Sequence, residues 1–295
     1  MGRRAEPPSR ANPSTHSRPA ARSTPSAHFD PRLVPDRERP GCWYVRVGDT
    51  DQSYIDPSDP TWLEFDYVQR VADLIDFLAE PGRRLRVVHI GGGGLTLPRY
   101  VAATRPTSAQ LVFEPDASLT EAVRAVAPLP RLSGVKVRAR PGREGLAELA
   151  AASADLVVVD AFSGSQTPAE LTSRQWFADV ARVAGPTGHL SLNLTGQAPF
   201  QHARRVVAGV MAGFGAAALA VEPSTLKGRR FGNLVVSAGP ALPLDQLARR
   251  AARSPWPYRL LSGTELSGWL AGAQPFDDAD AEPSPAPPPG LTRFR

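Results

Sequence analysis

Residues 85–94 are Leu-Arg-Val-Val-His-Ile-Gly-Gly-Gly-Gly, a mostly apolar run that ends in four consecutive glycines. Residues 85–90 predict a short buried β-strand. The glycines Gly91, Gly92, Gly93 and Gly94 predict a loop whose backbone can approach a ligand closely and adopt positive φ angles. Because all four glycines follow a buried strand directly, we interpret them as a nucleotide-binding loop rather than an ordinary tight turn.

Strands and helices alternate along the chain after this loop. The alternation predicts a parallel sheet with right-handed crossovers. Two final strands follow each other without a helix between them, which indicates an antiparallel hairpin. We therefore predict an α/β protein with a class I methyltransferase-like Rossmann fold and an antiparallel C-terminal edge hairpin. The predicted strands after the loop are 111–114, 135–138, 156–160, 190–194, 217–221 and 234–237.

The region before residue 81 predicts a smaller unit. Residues 43–47 and 52–55 predict a small N-terminal β-hairpin, and Pro60 opens an amphipathic helix. Both ends of the chain are rich in proline, so we expect them to be disordered. The expected divisions are a disordered basic tail (1–37), a β-hairpin and helix (38–80), a nucleotide-binding domain (81–273) and a disordered proline-rich tail (274–295).

The positive charge of the chain is concentrated in its N-terminal tail. The net charge is +5, of which residues 1–29 carry +4 and the rest of the chain carries +1. A nearly neutral folded part without a basic stripe predicts no nucleic-acid partner. The uncharged stretch 206–221 is shorter than a membrane span and contains three glycines, so we expect a buried helix and strand and no membrane insertion.

Cysteine and histidine usage points away from disulfides and metals. Cys42 is the single cysteine of the chain, which fits a reducing compartment, and we expect a cytoplasmic protein. His89, His189 and His202 lack the spacing of metal ligands. We therefore expect no bound metal ion.

Two acidic residues end the second and fourth predicted strands, at the edge where open α/β sheets bind ligands. Glu114 lies 20 residues after Gly94, where a carboxylate can accept both ribose hydroxyls of a nucleoside. This feature fits adenosyl-sulfonium and NAD cofactors alike. Asp160 ends its strand where a carboxylate can hold a cationic amine and take its proton. The alternatives are a surface glutamate before Pro115 and an aspartate that caps a turn or helix.

Four short segments follow one another in an order and spacing that resemble a known family. They are Gln52-Ser-Tyr-Ile-Asp with Leu63-Glu-Phe-Asp-Tyr-Val, Ile90-Gly-Gly-Gly-Gly, Asp155-Leu-Val-Val-Val-Asp-Ala-Phe with Leu171-Thr, and Arg230-Phe-Gly-Asn-Leu. Together they resemble the spermidine synthase (polyamine aminopropyltransferase) family, in its divergent spermidine-synthase-like branch. The resemblance covers residues 41–240.

This resemblance implies an activity and a set of site residues. The family transfers an aminopropyl group from decarboxylated S-adenosylmethionine to a polyamine acceptor such as putrescine, without a prosthetic group. By resemblance, Asp160 is the catalytic aspartate and Tyr67 helps to hold the attacking amine. Gln52 is expected near the donor nucleotide, and Glu114 is expected to bind the ribose beside the glycine loop. The family commonly forms dimers, so a homodimer is one option for this chain.

The chain departs from the family pattern at three carboxylates. The family loop usually has the sequence Gly-Gly-Gly-Asp-Gly, whereas Gly94 and Leu95 stand at its last two positions here. A second aspartate is missing from the catalytic loop at residues 162–164, and an acid is missing at residues 141–143. Cationic substrates need compensating charge when they leave water, so these losses keep other functions open.

Three other functions remain alternatives. An S-adenosylmethionine-dependent methyltransferase with another acceptor is favoured by Gly94, because the missing aspartate removes a repulsion against the carboxylate of that donor. A non-catalytic protein that retains the fold is favoured by the lost carboxylates. An NAD-dependent enzyme fits Gly91 and Gly93, but Thr96 stands where the third glycine of the dinucleotide motif belongs.

Overall fold

The run before the glycines forms the strand β4 (Arg86–Ile90), which lies inside a large sheet. The computed structural model describes residues 1–2, 30–48 and 50–288 of the chain. Strand β4 has a parallel neighbour on each side, and its last four residues are buried. Strands covered on both faces are mostly apolar, which explains why this stretch predicts a strand so directly.

The large sheet has eight strands, in a parallel half and an antiparallel half. Besides β4 they are β5 (Ala109–Phe113), β6 (Val135–Arg138), β7 (Leu156–Val159), β8 (His189–Gly196), β9 (Ala217–Val221), β10 (Gly232–Ala238) and β11 (Arg259–Ser262). Their order is β11-β9-β10-β8-β7-β4-β5-β6. The strands β6, β5, β4, β7 and β8 are parallel, and β10, β9 and β11 pair in antiparallel fashion. This arrangement confirms the predicted class I methyltransferase-like Rossmann fold.

Helices cover both faces of this sheet. They are α1 (Asp66–Leu78), α2 (Thr96–Thr104), α3 (Ala117–Val126), α4 (Gly142–Ala147), α5 (Arg174–Ala184), α6 (Gln201–Phe214), α7 (Pro223–Leu226), α8 (Leu244–Arg253) and α9 (Gly263–Leu270). Helices α1, α2 and α8 build one apolar core on the sheet, and α5, α6 and α9 build the other. In the described part of the chain, no helix has the length and apolar character needed to cross a membrane.

A second sheet precedes α1 and is antiparallel. Its strands are β1 (Leu33–Pro35), β2 (Trp43–Val47) and β3 (Thr50–Ile55), in that spatial order. The predicted hairpin of β2 and β3 is present, and β1 adds a third strand from within the tail that we expected to be disordered (1–37). Leu33 of β1 is buried and packs in a small core against α3. Residues 3–29 of that tail lie outside the described residues.

The predicted C-terminal hairpin consists of β9 and β10, and α7 occupies their connection. The sheet edge is one strand further out, because β11 pairs with β9. Strand β11 has four residues and begins with an exposed arginine. So short a strand leaves little periodicity for a sequence-based prediction.

Residues 274–288 pack against the body of the protein, in contrast to the disorder predicted for 274–295. Phe276 and Ser284 are both 0% exposed. The Ser284 amide donates to the Thr167 carbonyl at 3.0 Å, and the Thr167 amide donates to Ser284 Oγ at 2.9 Å. These two hydrogen bonds tie the segment to the loop that follows β7.

Ion pairs hold the acidic part of the same segment. Asp278 lies 2.6 Å from Arg143, and Asp280 lies 2.5 Å from Arg205. A proline-rich and acidic composition is typical of disordered tails. Here arginines distant in sequence neutralise the acids and Phe276 supplies an apolar anchor, which composition alone does not reveal. Residues 289–295 of the predicted tail lie outside the described residues.

We predict that Phe276→Ala lowers the free energy of unfolding by about 3 kcal/mol, as expected when a buried aromatic ring leaves a cavity. Denaturant unfolding measures the effect. The control is Leu132→Ala, because Leu132 is 94% exposed and its removal should change stability by less than about 0.5 kcal/mol. Equal effects of the two substitutions would contradict the packed C-terminal segment.

Candidate active site

The parallel register of three strands brings the predicted site residues together. Ile90 at the end of β4 is paired with Phe113 of β5 and with Val159 of β7. The next residue on each strand is therefore Gly91, Glu114 or Asp160, and all three line one cavity of about 690 Å³. This is the carboxyl edge of the parallel strands, where α/β sheets of this kind bind ligands.

The first two positions of the glycine loop are closely packed, and Gly91 leaves no room for a side chain. Gly91 has φ +92°, and a Cβ there would overlap the Asp160 carbonyl oxygen. At Gly92 a Cβ would lie 3.0 Å from Glu114 Cβ. Glycine is thus required at Gly91 both by its backbone angle and by the close passage of β7. Gly93 has φ +46° and also lines the cavity.

Glu114 is fixed by backbone donors. Its Oε2 accepts hydrogen bonds from the amides of Gly92 at 2.9 Å and Gly93 at 3.2 Å. Its Oε1 accepts one from the Asp116 amide at 3.0 Å. An ionised carboxylate offers about four acceptor sites, so capacity remains for a ligand hydroxyl in the cavity.

Asp160 is half-buried between two hydrogen-bond donors. Asn193 Nδ2 donates to its Oδ1 at 3.0 Å, and the Tyr67 hydroxyl lies 3.3 Å from its Oδ2. Loss of water contact raises the pKa of Asp160, and the hydrogen bonds from Asn193 and Tyr67 lower it by less. A carboxylate of raised pKa at the wall of a cavity is suited to accept a proton.

Tyr67 and Gln52 connect this carboxylate to the neighbouring loop. The Tyr67 hydroxyl also lies 3.3 Å from the Gln52 carbonyl. The Gln52 side-chain amide donates to the Gly164 carbonyl, in the loop after Asp160. Both residues line the cavity. The structure thus groups Gln52, Tyr67, Glu114 and Asp160 around one cavity, as expected from the sequence.

Gly94 is the exception among the predicted residues, because it does not line the cavity. Its amide donates to Ser53 Oγ at 3.2 Å, and Ser53 Oγ lies 3.0 Å from Thr96 Oγ1. A Cβ at Gly94 would lie 2.7 Å from Ile55 Cγ1 and 2.8 Å from Ser53 Oγ. Strand β3 therefore occupies the space that a side chain at Gly94 would need.

Asn193 is a site residue that the sequence analysis did not single out. It lies on β8, where polar Ser191, Asn193 and Thr195 alternate with leucines. The leucines belong to the core with α5 and α6, so the polar residues face the side of α1. The sequence shows the alternation of polar residues with leucines, and the structure adds that this strand is buried along its whole length.

A second, smaller cavity adjoins the large one. Its volume is about 30 Å³, and it shares Gln52, Tyr67, Phe162 and Gly164 with the 690 Å³ cavity. The other lining residues are Asp51, Phe65, Ser165, Asn193, Thr195 and Asn233. Asn193, which lines this cavity, donates a hydrogen bond to Asp160, which lines the large one.

The charges around the large cavity are mostly negative. Its described lining contains four carboxylates and one arginine, namely Glu114, Asp116, Asp160, Glu170 and Arg32. The guanidinium of Arg32 is paired with Asp30 at 2.6 Å and with Asp116 at 2.5 Å. Such a cavity favours a cationic ligand, for example a sulfonium. Within the described residues, no group of three or more His, Cys, Asp or Glu side chains is arranged to hold a metal ion.

The order of the strands and the cavity at their carboxyl edge define a class I methyltransferase-like Rossmann fold with a ligand-sized site. No protein-family model and no curated protein sequence matches the chain. The crystal structure of a probable spermidine synthase from Corynebacterium glutamicum is similar, with a TM-score of 0.77 and 26% identity over 87% of this chain and 95% of that one. The chain therefore has a spermidine-synthase-like fold.

Other solved structures are more distant. Human methyltransferase-like protein 13 in complex with SAH has a TM-score of 0.49 and 21% identity, over 72% of this chain and 93% of that one. Spermidine synthase from Thermotoga maritima has a TM-score of 0.46 and 14% identity, over 72% of this chain and 73% of that one.

We predict that Gly94→Ala lowers the free energy of unfolding by about 1–3 kcal/mol, because the added methyl group overpacks against Ile55 and Ser53. Denaturant unfolding is again the measurement. The matched control is Gly268→Ala, since a Cβ at Gly268 meets nothing within 4 Å. In helix α9 that change should raise stability by about 0.5–1 kcal/mol. A neutral Gly94→Ala variant would show that β3 does not fill this space.

Proposed function

We propose that the protein transfers an aminopropyl group from decarboxylated S-adenosylmethionine to a primary amine. The observation that carries this proposal is Asp160, a half-buried carboxylate of raised pKa that lines the large cavity and accepts a hydrogen bond from Asn193 of the small one. The similarity to the probable spermidine synthase supports the choice of reaction. The family resemblance adds putrescine and other polyamines as acceptors.

The large cavity is proposed to bind the donor. Glu114 accepts the ribose hydroxyls with the acceptor capacity left by its backbone contacts. The glycine loop lets the backbone come close to the nucleoside. The side-chain amide of Gln52 holds the loop after Asp160 in place through its hydrogen bond to the Gly164 carbonyl. The negative lining stabilises the positive sulfonium. These residues bind and orient the donor, and none of them forms a covalent bond to it.

Asp160 is proposed to act as the base. A neutral amine nitrogen attacks the methylene carbon that joins the aminopropyl group to the sulfonium, the new C–N bond forms, and the C–S bond to that carbon breaks. The electron pair of that bond goes to sulfur, so methylthioadenosine leaves. The amine proton passes to Asp160, while Tyr67 and Asn193 hold the carboxylate in place. Catalysis therefore consists of positioning and proton removal.

A second candidate is methyl transfer from ordinary S-adenosylmethionine to another acceptor. Gly94 favours it, because the absence of a carboxylate at this position removes a repulsion against the donor carboxylate. A non-catalytic role is the third candidate. Calorimetry with the two donors and with methylthioadenosine separates them. Tighter binding of the decarboxylated donor supports aminopropyl transfer, tighter binding of the ordinary donor supports methyl transfer, and no binding supports the third.

We predict that Asp160→Asn lowers kcat by about 10²–10⁴-fold, the usual contribution of a general base. The affinity for methylthioadenosine, measured by calorimetry, should change little because Glu114 and the glycine loop remain intact. Asp155→Asn is the control: Asp155 pairs with Arg86 at 2.6 Å and does not line the cavity. An active Asp160→Asn variant would rule out the base assignment.

We predict that Tyr67→Phe shifts the acid limb of the pH–rate profile to higher pH. Asp160 must be ionised to act as a base, so activity falls as the pH drops through its pKa. The Tyr67 hydrogen bond lowers that pKa, and its removal therefore raises it. The control is Tyr100→Phe, because the Tyr100 hydroxyl donates to Asp76 at 2.7 Å, away from the site. This variant should have the same acid limb of the pH–rate profile as the wild type. An unshifted or downward-shifted limb in Tyr67→Phe contradicts the assignment.

The remaining expectations about partners stay proposals. A small amine substrate is proposed as the partner of the site, and the near-neutral charge outside residues 1–29 supports the absence of a nucleic-acid partner. A homodimer and a cytoplasmic location stay predictions from the sequence.

A further inference from the structure

The small cavity has a floor made of polar side chains from two antiparallel strands. Asn193 and Thr195 lie two residues apart on β8, so they share one face of the strand. Asn233 of β10 is the cross-strand partner of Thr195. All three side chains line the 30 Å³ cavity. We call these three residues the amide–hydroxyl floor.

Within the described part of the chain, two side-chain oxygen atoms of this floor have no hydrogen-bond partner. They are Asn193 Oδ1 and Thr195 Oγ1, in side chains that are 2% and 3% exposed. The amide of Asn193 cannot turn around freely, because its Nδ2 donates to the Asp160 carboxylate, which when ionised only accepts. Buried polar atoms almost always have partners. Asn193 Oδ1 can only accept, so it points to a ligand that donates a hydrogen bond, and a ligand hydroxyl or amide can pair with Thr195 Oγ1 as well.

The charge of the cavity limits what that ligand can be. Among its described lining residues, Asp51 is the only carboxylate. Asp51 accepts from Arg46 Nε at 2.6 Å, in an ion pair whose aspartate side chain is 2% exposed. The pair leaves no net negative charge for a second cation. A desolvated ammonium without such a charge is strongly disfavoured.

The size and the aromatic walls of the small cavity also restrict which group can bind there. About 30 Å³ accommodates one small polar group but not a group with its own water shell. Phe65, Tyr67 and Phe162 form aromatic walls, and the Phe65 and Tyr67 rings are stacked with centroids 6.1 Å apart. Such walls fit a short apolar linker between the reactive amine and the terminal group.

We infer that the acceptor carries one amine, for Asp160, and at its far end an uncharged hydrogen-bond donor that Asn193 Oδ1 and Thr195 Oγ1 bind. The inference rests on the proposed function for the identity of the reactive amine. The acceptor is therefore an amino alcohol or an amino amide, and not a diamine with two ammonium groups.

The test compares three acceptors of similar length: 4-amino-1-butanol, butane-1,4-diamine and butylamine. Affinity is measured by calorimetry with methylthioadenosine present, and turnover is measured as release of methylthioadenosine from the decarboxylated donor. We expect the amino alcohol to bind at least about tenfold more tightly than either competitor, because a site built for a hydroxyl rejects analogues that lack it. Tighter binding of the diamine, or no binding of any of the three, overturns the inference.

Thr195→Val provides the matched variant, because it removes Oγ1 and keeps the shape of the side chain. It should lower the affinity ratio of amino alcohol to butylamine by about tenfold, the effect of one lost hydrogen bond in a buried site. Thr225→Val is the control, since Thr225 Oγ1 is also buried with no partner among the described residues but does not line the cavity. Equal ratios in wild type and Thr195→Val overturn the inference.

The two measurements separate the inference from the proposed function. If none of the amines releases methylthioadenosine, aminopropyl transfer to these acceptors is wrong, and the order of affinities still decides the acceptor class. If turnover occurs with the diamine preferred, the proposed function stands and the inference is wrong.

Discussion

The close passage of β4 and β7 is the constraint on which the site depends. At the point where the two strands end, Gly91 has no room for a Cβ, because the Asp160 carbonyl lies against it. This contact fixes the glycine loop directly beside the carboxylate that follows β7. The parallel pairing of β5 then adds Glu114 on the other side of the loop. One steric requirement and two registers thus determine the positions of all three groups.

Most of this arrangement could be predicted from the sequence, because it follows from local signals. Apolar runs define β4, β5 and β7, and the residues that end them must meet at one sheet edge. The glycine loop, Glu114 and Asp160 were therefore accessible without coordinates. Gln52 and Tyr67 came from the family resemblance alone, since nothing in their local pattern predicts that they approach Asp160.

The features that escaped prediction are those that depend on long-range pairing. Residues 274–288 have a composition typical of disorder. Nevertheless, Asp278 accepts a hydrogen bond from Arg143 and Ser284 accepts one from Thr167, and both donors are more than 100 positions away in the chain. Strand β1 is three residues long and is held by β2. The sequence shows that Gly94 departs from the family pattern. It does not show that the side chains of Ser53 and Ile55, which belong to a separate sheet, occupy the space beside Gly94.

The departures from the family pattern share a physical consequence. At Gly94, where the family pattern that the sequence resembles has a carboxylate, a side chain would meet Ser53 and Ile55. Near residues 141–143, the cavity is lined by Pro141 and Gly142, and Arg143 is turned to Asp278. Electrostatic attraction is therefore weaker at both places, and recognition there must rely on shape and on hydrogen bonds. A desolvated second cation would be poorly compensated in such a site, whereas the unpartnered oxygens of Asn193 and Thr195 offer a neutral donor two hydrogen bonds. Recognition in the small cavity therefore depends on neutral polar contacts, whereas the carboxylates of the large cavity keep it suited to a cation.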